Sequence, residues 1–503
     1  MQISRNEILN VCVEDAFDTA NCPVVGITSF RNTVIDRVSK GNRIAAFFGI
    51  PAEERSIKLI CVLADDETGS LRVISSIVEG SYPSFTRECP QAHLFEREIC
   101  EQCNIVPKNH PWLKPIRFHS AGHKYGPYKP AASIKDFFTM QGEEVHEVAV
   151  GPVHAGIIEP GHFRFQCHGE TVYHLEIALG YQHRGVERAL IGGPNARTDH
   201  YIETLCGDST IGHMIAGCSL IEKLAGIKVP ARGQTIRAIA AELERIANHI
   251  GDLGALSGDV GFLPTMSYCG RIRGDVLNIT AEICGNRFGR GLVIPGGTAW
   301  NIASEQIEDL LKRLSNVEKD VTSAVELMFD TPSVLARLEN TGRVSKKTAS
   351  EIGMVGLAAR ASGLERDVRV QHPYEIYNFT SVNMFTWNTG DCFARAYLRW
   401  LEVQESLTIV RALLESMPAG IPANPWNGKL NPGKTAIVLT EGWRGEICHV
   451  AGTNSFGKFS FYKVVDPSFH NWFGLTLSLR NEQISDFPLC NKSFNLSYCG
   501  HDL

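Results

Sequence analysis

The sequence predicts an α+β protein: a small N-terminal α/β domain, then a longer, mostly helical domain with a helical bundle and peripheral β-hairpins. Three observations carry that reading. Residues 1–120 contain strand-like apolar runs separated by short polar turns. Several stretches between residues 236 and 416 repeat their apolar side chains at the helical period. Beyond Lys434 the pattern returns to the two-residue alternation of strands.

In the N-terminal region the strand candidates are Arg43-Ile-Ala-Ala-Phe-Phe-Gly, Ile57-Lys-Leu-Ile-Cys-Val-Leu-Ala and Leu71-Arg-Val-Ile-Ser-Ser-Ile-Val. They are rich in β-branched and aromatic residues, and Asp65-Asp-Glu-Thr-Gly supplies a turn between the last two. Glycines, prolines and the charged Gly142-Glu-Glu-Val-His-Glu then read as a linker. The expected division is therefore a domain at 1–120, a linker at 121–146 and a second domain at 147–503. In Ile236-Arg-Ala-Ile-Ala-Ala-Glu-Leu-Glu-Arg-Ile-Ala-Asn-His-Ile the apolar residues fall at i, i+3, i+4 and i+7, and similar periodicity covers 304–329, 345–361 and 389–416. Pro332 and Gly342 punctuate one junction, Pro418 and Gly420 another. A bundle is the natural assembly of such helices. The closing strands are Lys434-Thr-Ala-Ile-Val-Leu-Thr-Glu-Gly, Gly445-Glu-Ile-Cys-His-Val-Ala-Gly and Lys458-Phe-Ser-Phe-Tyr-Lys-Val-Val.

Composition excludes several function classes. A chain of 503 residues with net charge −6 and no basic block gives no reason to expect a nucleic-acid partner. The N-terminus lacks the apolar core of a signal peptide, so secretion is not expected. No stretch reaches the roughly 18 uncharged apolar residues of a membrane span, so membrane association would run through partners. No Gly-x-Gly-x-x-Gly opens a βαβ unit, which argues against a dinucleotide held by this chain. Fifteen cysteines are scattered, and Cys100 and Cys103 form the one clean Cys-x-x-Cys. His93 and His110 nearby fit no zinc spacing, so that pair reads as structural, and Cys61, Cys284 and Cys392 read as small core residues.

The chemistry-bearing signals lie elsewhere. Cys206 stands in Leu-Cys-Gly-Asp-Ser-Thr-Ile-Gly-His, running to His213, and the chain ends Asp-Phe-Pro-Leu-Cys-Asn-Lys-Ser-Phe-Asn-Leu-Ser-Tyr-Cys-Gly-His-Asp-Leu. These segments resemble the two ends of the nickel–iron hydrogenase large subunit, where paired Cys-x-x-Cys motifs give four thiolates to the metals. The resemblance puts Cys206 and Ser209 at the first two ligand positions and Ser497 and Gly500 at the others, so one thiolate of four survives. Nickel needs thiolates that serine and glycine do not replace. The resemblance therefore implies a hydrogenase relative without the metals.

Other segments extend the likeness. Gly151-Pro-Val-His-Ala-Gly-Ile-Ile-Glu-Pro-Gly-His-Phe-Arg-Phe resembles the opening motif of energy-converting hydrogenases, whose acid at the Glu159 position starts a proton path. A carboxyl group in a partly dry cavity suits proton exchange near neutrality. Tyr181-Gln-His-Arg-Gly-Val-Glu-Arg matches the His-Arg-Gly-x-Glu signature of hydrogenases and complex I, and His183, Arg184 and Glu187 read as stabilising residues. Glu441-Gly-Trp-Arg-Gly-Glu fits the motif whose arginine leans over the metal, so Arg444 is expected to line the cavity, with Asp208 as its carboxylate partner. Arg366-Asp-Val-Arg-Val-Gln-His-Pro-Tyr resembles another segment near that site, and a buried ion-pair network explains it equally well. His213 falls at the family's histidine behind the metals. Through Tyr82-Pro-Ser-Phe-Thr-Arg-Glu-Cys-Pro-Gln-Ala-His and His110-Pro-Trp-Leu-Lys-Pro, most of residues 25–118 resemble the small α/β subunit of complex I, a module fused at the N-terminus of the formate hydrogenlyase large subunit. In the quinone-binding subunit of complex I a histidine and a tyrosine hold the headgroup; Pro160 and Gly207 stand there instead. A quinone would need other donors, such as His154, His200, Tyr201 or Arg444.

The resemblance implies a fused subunit of a membrane-attached complex related to complex I and formate hydrogenlyase. The expected catalytic residues are Glu159, Arg444, Asp208 and His213; the expected cofactor-facing residues are His154, Cys206 and Ser209. No cofactor is expected to bind stably here. An iron–sulfur small subunit would deliver electrons, with antiporter-like membrane-arm subunits and a formate dehydrogenase or an NADH-oxidising module completing the assembly. Its expected place is the cytoplasmic face of the cell membrane. The rival readings are a structural adaptor without redox chemistry and an active nickel–iron hydrogenase.

Overall fold

A computed structural model of the chain describes residues 8–11, 15–53, 55–118, 137–154 and 158–503. Most of the expected linker lies outside the described residues.

The N-terminal strands form one antiparallel sheet from β1 (Leu9–Val11), β3 (Arg43–Pro51), β4 (Ile57–Asp65) and β5 (Ser70–Val78), in the order β1-β5-β4-β3; β2 (Phe17–Asp18) leaves it for another sheet. Helix α1 (Ile27–Ser39) buries Phe30 and Val34 against this sheet, and α2 (His93–Cys103) packs on β3. Phe30, Phe47 and Phe85 meet with centroids 5.8, 6.3 and 5.4 Å apart, within the range of favourable aromatic pairs. The three sequence-predicted strands agree with β3, β4 and β5 to within a residue or two.

A second antiparallel sheet combines β6 (Val145–Val150), β7 (His162–His168) and β8 (Thr171–Ala178). The helices then follow: α3 (Thr210–Ala225), α4 (Ala231–Asp259), α5 (Leu263–Cys284), α6 (Ser304–Phe329) and α7 (Cys392–Glu415). Helix α4 is buried nearly all round because α5 and α7 pack along it. Its approach to α5 is close: a Cβ at Gly254 would lie 2.7 Å from the Cβ of Cys269. Helix α6 is amphipathic, burying Leu310, Leu314, Val317, Val321, Val325 and Met328 along one stripe.

The expected helix over 345–361 is divided. Lys346–Glu351 and Gly356–Ala361 are helical, separated by Gly353 at φ 74°, and the second begins on Gly356 at φ 62°. A Cβ on Gly356 would sit 2.1 Å from the Cα of Gly445, so helical periodicity gives way here to backbone contact with a hairpin.

That hairpin belongs to the sheet that organises the molecule. Strands β9 (Lys434–Gly442), β10 (Gly445–Thr453) and β11 (Phe459–Val465) form a meander, and β2 pairs with β9 as the fourth strand. Strand alternation normally marks one dry and one wet face, but every residue of β10 is buried. Ile437, Leu439, Cys448, Val450 and Phe461 join the core of the N-terminal sheet. Ala436, Val438, Ile447, Ala451 and Tyr462 join the core of the helical region. The meander is thus covered on both faces. Ion pairs cross the same seam: Arg43 forks onto Glu446 with two contacts of 2.5 Å, and Lys463 reaches Glu98 at 2.8 Å. Removing one partner of such a pair leaves an uncompensated buried charge, typically costing ~3–5 kcal/mol.

Candidate functional site

The hairpin tip carries Trp443 and Arg444 between the paired Gly442 and Gly445. It is held from behind by a buried ion network. Arg245 donates to the carbonyl oxygens of Glu441 and Gly442 at 2.8 and 3.1 Å, and Arg360 bridges Glu441 and Glu402 at 3.0 and 2.5 Å. Arg369 joins in through Glu242 and Asp367, which places the Arg366–Tyr374 segment in this network. Burial, with Asp367 alongside, pushes Glu441 up.

From that support Arg444 reaches Asp208 with both arms, Nη1 to Oδ1 at 2.6 Å and Nη2 to Oδ2 at 2.8 Å. The guanidinium carbon lies 3.9 Å from the Trp443 ring centroid, and Nε donates to the Asn495 carbonyl. Burial pushes the Asp208 carboxyl up, but the Arg444 charge and hydrogen bonds outweigh it and hold the group at about 2. The backbone around Asp208 is fixed as well, its carbonyl accepting from Trp443 Nε1 at 2.9 Å and Asn248 Nδ2 at 3.0 Å.

Cys206 completes this corner. Its thiol donates to Asp208 Oδ1 at 3.2 Å, and its sulfur accepts from Arg444 Nη1 at 3.3 Å. The neighbouring Cys499 thiol and burial push the Cys206 thiol up. In the C-terminal tail Ser497 Oγ lies 3.3 Å from the Cys499 sulfur, and Glu159 Oε2 accepts the Tyr498 N–H at 3.2 Å. Cys206, Asp208 and Arg444 are therefore joined in one cluster, and Glu159 is bonded to the tail residue next to Cys499.

The other expected residues take distinct places. Ser209 caps α3 through its backbone, its carbonyl accepting the His213 N–H at 3.2 Å. His213 is fully buried, with Nδ1 3.1 Å from His449 Nε2 and Nε2 3.1 Å from Asp466 Oδ2, and His449 continues to the Tyr462 hydroxyl at 2.9 Å. His154 bonds the Gly161 carbonyl at 3.0 Å, fastening the loop that bears Glu159 instead of joining the cluster. Among the residues read as stabilising, His183 holds the Asp502 carbonyl at 2.8 Å, Arg184 the Leu205 carbonyl at 3.1 Å, and Glu187 the Val464 N–H at 2.9 Å. The His183 bond ties the C-terminal tail to this segment. The Cys100–Cys103 pair lies on α2, with Cys103 turned to the Gly49 carbonyl and His93 stacked on Trp112 and tilted against Phe473.

The donor set does not fit a nickel–iron pair. Of the four ligand positions only Cys206 offers a thiol. Ser497 Oγ is occupied in capping, accepting the Gly500 N–H at 2.9 Å. A Cβ at Gly500 would lie 2.6 Å from the Asp466 carboxyl carbon, so that position has no room for any side chain.

Single-sequence reasoning missed two features. Cys499 stood in plain view, but alignment pointed to the flanking Ser497 and Gly500. Glu244 sits on α4 among ordinary helix-surface positions, and nothing local distinguishes it. Its carboxylate accepts the Ile211 and Gly212 N–H groups at 2.7 and 3.1 Å, capping α3. Burial pushes Glu244 up to about 8, against the pull of those N–H groups. It lines a small pocket together with Asp208, Asn248, Arg273, Arg287 and Phe288. The Asp208 side chain, 38% exposed, opens from the cluster towards this cavity.

Residues 259–429 match the family described as respiratory-chain NADH dehydrogenase, 49 kDa subunit. The chain is 31% identical to an NADH-quinone oxidoreductase subunit of Clostridium beijerinckii, over 61% of this chain and 83% of that protein. It is 28% identical to the carbon monoxide-induced hydrogenase of Rhodospirillum rubrum, over 70% of this chain and 97% of that protein. With formate hydrogenlyase subunit 5 of Escherichia coli it shares 27% identity over 85% of this chain and 78% of the relative.

Proposed function

The chain belongs to the family of the 49 kDa subunit of respiratory-chain NADH dehydrogenase, and on that premise we propose that it is a subunit of a complex I-related oxidoreductase whose former nickel–iron cavity works without those metals. In this reading it couples electrons arriving from a neighbouring iron–sulfur subunit to proton movement or quinone reduction. The observation that carries it is the Cys206–Arg444–Asp208 cluster, with Glu159 bonded to the tail at Tyr498. It joins a fixed cation, a carboxylate and a thiol. Arg444 stays cationic at any working pH, so negative charge arriving beside Cys206 meets a fixed counter-charge while Glu159 supplies or accepts the proton.

Partners follow from the same reading: an iron–sulfur small subunit, antiporter-like membrane-arm subunits, and a formate-oxidising or NADH-oxidising module. No helix among the described residues is long and apolar enough to cross a membrane, so attachment at the cytoplasmic face would come through those subunits. Val153 and Ile158, both exposed on the Glu159 loop, give such a neighbour an apolar surface to cover. The test is affinity purification of the tagged chain from membranes of its own cell. Co-isolation of an iron–sulfur protein and membrane proteins is the expected result; isolation as a monomer indifferent to their deletion would overturn it.

A further inference from the structure

Arg395 is fully buried on α7, yet none of its hydrogen bonds goes to a carboxylate. Nε donates to Ser493 Oγ at 2.8 Å, Nη1 to the Gly390 carbonyl at 2.8 Å and Nη2 to the Gly342 carbonyl at 2.9 Å. Nη2 also donates to the Cys392 sulfur at 3.5 Å, one turn back on the same helix. The acids on the surrounding elements are spent on the backbone. Asp391 accepts the Ala394 and Asn340 N–H groups, each at 2.8 Å, and Glu482 accepts the Gly342 N–H at 2.9 Å. A buried guanidinium without a counter-charge is costly. Among the described residues the Cys392 sulfur is the atom placed to supply one.

The position suits an anion. Cys392 is the first residue of a 24-residue helix, where the N–H dipoles favour negative charge. Opposite it, on the tail helix Phe487–Phe494, the Cys490 sulfur lies 4.0 Å away, within reach of a thiol hydrogen bond. Gly342 leaves room for both sulfurs: a Cβ there would lie 2.5 Å from that of Cys490 and 3.5 Å from that of Cys392. Burial pushes the Cys392 thiol up, but the Cys490 hydrogen bond and the Arg395 charge outweigh it and bring it below the ordinary thiol range. Both cysteines are fully buried and free.

We propose that Cys392 and Cys490 are an oxidisable thiolate–thiol pair, at which hydrogen peroxide joins α7 to the tail helix by a disulfide. The Cys392 thiolate attacks one peroxide oxygen. The S–O bond forms, the O–O bond breaks, and the departing hydroxide takes up a proton to leave as water. The Cys490 thiol then attacks the Cys392 sulfur. The S–S bond forms, the S–O bond breaks, and the Cys490 proton leaves with the hydroxide as a second water. The two sulfurs give up two electrons and the peroxide oxygens gain them. Burial selects this oxidant, because peroxide is little larger than water, and Pro488 on the thin tail helix is exposed. The link would pin the helix next to Asn495, whose carbonyl accepts from Arg444 Nε. This chemistry stands apart from the subunit reading.

The experiment treats the purified full-length chain with graded hydrogen peroxide, followed by catalase, alkylation with iodoacetamide in urea, digestion and mass spectrometry. The expected result is that Cys392 and Cys490 lose alkylation together and appear as one linked peptide pair, two hydrogen atoms lighter than the separate peptides. Dithiothreitol in urea should restore both. Cys61, equally buried but pushed up by burial with Cys89 alongside, should still be alkylated at the doses that form the link. C490S should stop at a sulfenic acid on Cys392, captured by dimedone, and C392S should leave Cys490 alkylated. Full alkylation of Cys392 and Cys490 at doses that already oxidise Cys61 would overturn the proposal. So would a sulfenic acid on Cys490 with Cys392 intact. Should either variant lose its cooperative urea transition, the unaltered chain still decides, because the link either precedes Cys61 oxidation or does not.

Discussion

Arg444 holds Asp208 as a two-pronged pair, at 2.6 and 2.8 Å, across 236 residues of sequence. The pair ties the hairpin tip to the turn before α3, so it shapes the cavity as well as its charge. Asp208→Asn keeps the size of the side chain but leaves the guanidinium without its counter-charge. The expected cost is about 2 kcal/mol, below the ~3–5 of a fully buried pair because Asp208 is 38% exposed. Arg444→Lys keeps the charge but loses the fork and the stacking on Trp443, so it should impair turnover less than Arg444→Ala. Denaturant midpoints and turnover of the assembled complex check both orders.

Gly500 offers a second test. A Cβ there would meet Asp466, whose carboxylate already accepts from His213 Nε2 at 3.1 Å and from the Ser468 N–H at 2.8 Å. Gly500→Ala should therefore cost ~1–3 kcal/mol through overpacking. Gly500→Cys should cost at least as much and recruit no nickel. Urea unfolding reads the first effect and elemental analysis of the purified variant the second.

The pH dependence of stability should carry the mark of Glu244. Its ordinary value is 4.5, and in the folded chain burial pushes it up to about 8. Between those limits the native state keeps a proton that the unfolded chain has released, so this group makes stability fall as pH rises through the window. Asp208 and Glu242 act in the opposite sense: burial raises each, but neighbouring arginines win and hold both at about 2, so their contribution is lost in acid. Glu244→Gln should flatten the alkaline side of the profile and leave the acid side unchanged. Denaturant midpoints measured across the window would show it.

What was legible in the sequence follows from what local patterns encode. The strands around Phe47, Cys61 and Ile74 and the helix Ser304–Phe329 were readable because one periodicity governs each of them. The interruption at Gly353 and Gly356 was not, because it answers to the backbone of Gly445, far away in sequence. The double burial of β10 was hidden for the same reason: alternation tells which residues share a face, not that both faces are covered. In the site, motif resemblance pointed to Arg444, Asp208 and Cys206, which the fold brings together. Cys499 lies one residue from an alignment position, on the short helix Tyr498–His501 that Ser497 caps.

Glu159 is the residue on which the proton-coupling reading depends. It sits on a loop fastened by His154 and accepts the Tyr498 N–H, so the tail and the opening motif meet at its carboxylate. Glu159→Gln retains an oxygen to accept that N–H and changes the side-chain volume little. Folding and assembly should therefore persist, with the same subunits co-purifying in the same ratio. What the amide cannot do is exchange a proton with the cluster. Removing a positioned acid or base typically costs about 100-fold or more in rate, so coupled turnover of the complex should fall by at least that factor. Glu159→Asp, which keeps a titratable group on a shorter arm, should recover part of it. If Glu159→Gln turns over as fast as the unaltered complex, the cavity relays no proton through this residue, and the chain acts there as a structural adaptor.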